Sequence, residues 1–209
     1  MAKLTAQVRI PASDRQIAAL ERIDKEDFSL VIYRTKKAFD EREIHHPESF
    51  FEDGITSLKQ YYCTTIFDPH NCHAVADNLD RFWHEHVLDT ARYSILCRDL
   101  KGFMHHDPLD RRNLDKVAAI GQVYLYTYKV LTKIFGKKNL NENFFPEKPE
   151  IDILVCRHDV HPIPDAEVKW DDVLPVDKTI EKIRAQYGNQ AKISEIEEQL
   201  KKRNSGNGV

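Results

Sequence analysis

Glycine is scarce in this sequence, with seven residues in a chain of 209 and no short repeat or low-complexity tract. That excludes collagen-like, elastic and broadly disordered polymers. The four cysteines (Cys63, Cys72, Cys97, Cys156) form no CxxC pair and no regular framework. They read as reduced thiols serving as small hydrophobes. Neither sign of charge dominates: 31 basic residues face 34 acidic ones, for a net charge of −3. Nucleic acid and anionic membrane are therefore not expected as partners. The longest notable uncharged stretch, residues 117–128, falls well short of the ~20 residues a membrane helix needs. The opening MAKLTAQVRI has no apolar core of signal-peptide length, so a cytoplasmic protein is expected. GxSxG, Walker A and GxGxxG are all missing, and Leu88 stands where HExxH would require its second histidine.

What is present is a chain that is 41% apolar and 10% aromatic, enough for one sizeable core. The patterning predicts a mainly α protein, a compact bundle of about six helices with room for one short β element. Ser13 and Gln16 form a capping box ahead of Ile17, Leu20 and Ile23. Phe28–Phe39 reads as a second helix, although its LVIY run also suits a strand. Pro47 opens a third helix carrying the stripe Phe51, Ile55, Leu58 and Tyr62. Asn71 is expected to cap a fourth helix from Cys72 to Val87. Asp89 or Thr90 starts a fifth, ending near Lys101 with Gly102 in a left-handed turn. The sixth is the clearest: apolar residues recur at three and four from Leu114 to Phe135, and Gly136 stops them. Ile151–Cys156 alternates like a short strand.

A composition break near Trp170 divides a helical core domain, 1–165, from a C-terminal helical appendage, 166–209. Within the appendage, residues 171–203 carry seven acidic and seven basic side chains around two short amphipathic patterns. This arm reads either as a helical hairpin packed back on the domain or as a surface for self-association or a protein partner.

Six of the ten histidines lie between residues 70 and 106 (His70, His73, His84, His86, His105, His106). Neutral imidazole is the commonest metal ligand and the side chain most easily tuned as a proton carrier near neutrality. On a regular helix His73, Asp77, Asp80 and His84 share one polar stripe, with His86 on the opposite, apolar face. Asp80 and His84 are i,i+4 neighbours, able to ligate together or to pair as ligand and support. A hairpin of the fourth and fifth helices folds Met104–His106 back towards that stripe, so Asp80, His84, His105 and His106 are the candidate metal ligands. His86 and Tyr93 are the candidate acid–base or orienting groups, although His86 also fits a buried structural imidazole. His158 and His161, outside the cluster, are open to service as extra ligands but fit surface-loop histidines better.

The run Leu79-Asp80-Arg81-Phe82-Trp83-His84-Glu85-His86, the following Leu88-Asp89-Thr90, Tyr93 and Cys97, and the later Phe103-Met104-His105-His106-Asp107-Pro108 resemble the glycine-rich domain-containing-protein-like family. The resemblance covers about residues 55–108 and lacks the glycine-rich region of that family. It implies a mostly helical domain and a joint signature of Asp80, Trp83, His84, His86, Tyr93, His105 and His106, but no activity. Two functions follow from the residues. One is a divalent-metal protein, with zinc or iron, extending to a hydrolase or non-haem iron oxygenase. The other is a helical scaffold whose histidines form a structural hydrogen-bond network.

Overall fold

The computed structural model describes residues 3–109, 114–149 and 153–162. The C-terminal appendage at 166–209 lies outside these residues. The protein is mainly helical: α1 (Leu4–Gln7), α2 (Asp14–Asp24), α3 (Ser29–Asp40), α4 (Glu48–Phe67), α5 (Asp77–Leu88), α6 (Thr90–Leu100) and α7 (Leu114–Phe135). Among the described residues no helix is long and apolar enough to cross a membrane.

The helix boundaries follow local chemistry. Ser13 and Gln16 complete the capping box of α2, each satisfying the other's main-chain N–H. Pro47 precedes the first turn of α4, and Gly136, at φ 79°, follows the last turn of α7. At the end of α6 the left-handed position falls on Lys101, at φ 59°, rather than on Gly102, which instead begins a strand.

The β part is larger than one short element. Strands β1 (Cys72–Ala76), β2 (Gly102–Pro108) and β3 (Leu154–Pro162) form an antiparallel sheet in the order β1-β3-β2. The fourth helix expected from Cys72 is thus a strand followed by a shorter helix, α5. Both faces of β1 are buried, so the sequence shows no polar alternation there. One face, bearing Cys72, Ala74, Ala76 and Leu154, packs on Ile120, Val123 and Tyr124 of α7. The other contributes Val75, Met104 and Cys156 to the main core with α4, α5 and α6.

Helix side chains bind the main chain of the two outer strands. Thr127 Oγ1 of α7 accepts from Ala74 N at 3.0 Å, and Tyr93 of α6 donates its hydroxyl to the Met104 carbonyl at 2.6 Å. Such contacts occupy groups that would otherwise invite a further strand. Gly54 lets α4 approach α5: a Cβ there would lie 2.3 Å from the ring of Phe82. That approach sets α5, and with it Asp80 and His84, above the sheet.

Candidate metal centre

Strand register builds the base of the site. His73 on β1 pairs with His158 on β3, which pairs in turn with His106 on β2. Directly opposed residues share a sheet face, so three imidazoles form a row across the sheet; His158 and His106 meet Tyr61 and Trp83 of α4 and α5, while His73 at the edge meets Tyr126 and Thr127 of α7. Cys156 is two residues before His158 and shares that face. Asp80 comes from α5, with Trp83 one turn later and fully buried. The Trp83 ring lies 3.9 Å from that of His158 and 5.1 Å from that of His106, centroid to centroid, giving the site an apolar wall.

Asp80, His106, Cys156 and His158 each present a ligand atom, and all four atoms lie within 4.8 Å of one another. Asp80, Cys156 and His158 are buried and His106 is half-buried. Cys156 Sγ lies 2.7 Å from Asp80 Oδ1 and 3.2 Å from His158 Nε2. Tyr61 Oη is 2.5 Å from the other nitrogen of His158, Nδ1. Burial holds the His158 imidazole well below the usual histidine range, and nearby His106, His73 and His84 add to this. Burial likewise lifts the Tyr61 phenol well above its ordinary value, helped by the acidic Cys156, Cys72 and Asp80 groups. Both side chains are therefore neutral near pH 7.

This arrangement could hold a metal. Two imidazoles, a carboxylate and a thiol are ligand types that suit a transition metal. Around a single zinc ion such atoms lie roughly 3.3–3.8 Å apart, from tetrahedral angles and bonds of about 2.0–2.3 Å. Small side-chain shifts would bring these four to that spacing. Moreover, a thiolate and a carboxylate 2.7 Å apart require a proton or a cation between them.

The sequence-predicted residues divide. Asp80 and His106 belong to the cluster. His84 stands at its mouth, with its side chain 46% exposed, Nε2 3.2 Å from His106 Nε2 and Nδ1 3.8 Å from Asp80 Oδ2. His105 is exposed on the opposite sheet face, its ring 4.7 Å from that of Phe103, and does not join them. His86 is buried elsewhere, with Nδ1 2.8 Å from the Tyr62 hydroxyl and its ring against Phe28 and Tyr93. Tyr93 holds the Met104 carbonyl, and burial raises its pKa far above the ordinary phenol range. Both expected acid–base candidates thus point away from the cluster. His73, placed on the polar stripe by helical geometry, is instead fully buried in β1, where Nε2 lies 3.2 Å from the Asp68 carbonyl.

Cys156 and Tyr61 are the residues the sequence reading missed, and His158, open to service as an extra ligand, reads there first as a surface-loop histidine. His158 is fully buried in a strand that runs on to Pro162, not in a surface loop. The alternation Cys156-x-His158 was the available signal. Cys97 is a buried thiol whose pKa burial pushes up to about 11, which fits packing.

No family model, curated protein or solved structure matches this chain.

Proposed function

We propose that the protein is a mononuclear metalloprotein whose centre is formed by Asp80, His106, Cys156 and His158, with zinc as the favoured ion. The convergence of these four side chains from α5, β2 and β3 on one buried point carries the reading. Thiol and imidazole together favour zinc over magnesium or calcium. Iron is the alternative, since two histidines and a carboxylate also make a non-haem iron set, but a buried thiol among them fits zinc better.

His84 supports a reactive rather than a sealed centre. It is the exposed group over a buried ligand set, suited to pass protons between a metal-bound water and solvent or to enter the coordination shell itself. In a hydrolytic reaction the ion would lower the pKa of that water. Zinc can take a fifth ligand, so such a water would add to the four side chains rather than displace one.

Tyr61, His158, Cys156 and Asp80 are hydrogen-bonded in a continuous line, which by itself could be a structural network within a scaffold. Elemental analysis of untagged protein purified without chelator separates the two. The metal reading expects one zinc or iron per chain, lost in His158→Ala and in Cys156→Ala. Metal-free wild-type protein that melts identically with and without added zinc selects the network.

A further inference from the structure

Four buried groups lie in sequence through the centre: the Tyr61 hydroxyl, both nitrogens of His158, Cys156 Sγ and Asp80 Oδ1, with separations of 2.5, 3.2 and 2.7 Å. Counting protons gives this line a direction. The Cys156 thiol donates its hydrogen bond to Asp80 Oδ1. The sulfur can then accept the His158 Nε2 proton. A neutral imidazole protonated at Nε2 has only a lone pair at Nδ1, which accepts from Tyr61. Every group in the ion-free line then donates or accepts in the same sense, from Tyr61 towards Asp80.

A metal ion cannot be bound with that polarity. Nε2 is the His158 nitrogen facing Cys156, and a nitrogen that ligates must offer its lone pair. We infer that Tyr61 is the positioning residue of the centre: it holds His158 in the Nε2–H form without an ion and accepts the Nδ1–H of the reversed form when one is bound. The proton balance is simple. One N–H bond breaks at Nε2 and one forms at Nδ1, while the S–H bond of Cys156 breaks and its proton leaves to solvent. Nothing is oxidised or reduced. The second half of the inference rests on the proposed metal centre, whereas the first concerns the protein alone. Tyr62 supplies an internal control, because its hydroxyl makes the same kind of contact, 2.8 Å from a histidine Nδ1, with His86 outside the cluster.

Long-range 1H–15N spectra of the full-length 15N-labelled protein report which nitrogen of His158 carries the proton. The ion-free wild type should show Nε2–H, and one equivalent of zinc should convert it to Nδ1–H. Zinc affinity should fall about ten-fold or more in Tyr61→Phe, the range typical for removing the partner of a ligating histidine, and stay at the wild-type value in Tyr62→Phe. An Nδ1–H form in the ion-free wild type, or wild-type zinc affinity in Tyr61→Phe, overturns the inference. If the ion-free protein shows Nε2–H but does not bind zinc, the metal centre is what fails, and the Tyr61-to-Asp80 line survives as a structural one.

Discussion

His86 and His158 are both buried imidazoles held by a tyrosine through Nδ1, yet only one belongs to the cluster. Burial pushes His86 down to about 4, outweighing the nearby Asp89 carboxylate, which acts to raise it. The folded protein therefore binds this proton less readily than the unfolded chain, whose histidine titrates near 6.5. Its contribution is fully present above pH 6.5 and is lost as pH falls towards 4, by about 3 kcal/mol in all. Denaturant midpoints between pH 7 and 4.5 should fall less steeply in His86→Leu than in wild type. Equal slopes would show that His86 is not the group responsible. Among the histidines between residues 70 and 106, His105→Ala should leave metal content at the wild-type level, since that side chain lies on the other face of the sheet. Loss of metal in that variant would mean that the ligand set is drawn wrongly.

At the level of elements, the close approach of α4 to α5 depends on Gly54. The Phe82 ring that a Cβ would meet is itself fully buried and has little room to move. Gly54→Ala should cost about 1–3 kcal/mol by overpacking, measurable by denaturant unfolding; a neutral result would mean the helices separate freely. Tyr93→Phe should cost about 1 kcal/mol through the lost bond to Met104, without altering metal content.

The helices α2, α4 and α7 were legible because each shows an apolar stripe at helical spacing and a recognisable start or stop. The sheet was not. Cys72–Ala76 is buried on both faces and too short to declare a period, so it reads as the first turn of the helix that follows. The pairing of β3 with β1 and β2 joins residues about 50–90 positions apart, which no local pattern reports. The same limit explains the site. Asp80 and His84 are visible as i,i+4 partners on one helix. Cys156 and His158 acquire meaning only once their strand lies between the two others, and ending that strand at Cys156 left His158 outside it.

For the molecule as a whole, the centre joins α5 to the outer strand β2 and the central strand β3 through side chains alone. An ion held there at a hundred times its dissociation constant would add about 2.7 kcal/mol of stability, or roughly 5–10 °C in Tm for a chain of this size. A chelator should therefore lower the Tm of wild type by that amount and leave His158→Ala unchanged. The most direct test is X-ray absorption at the metal edge of the untagged protein. The account predicts one sulfur neighbour at about 2.3 Å and two or three nitrogen or oxygen neighbours at about 2.0–2.1 Å, with the sulfur shell lost in Cys156→Ser. A shell of light atoms alone in the wild type, or a sulfur shell that survives in Cys156→Ser, would contradict it.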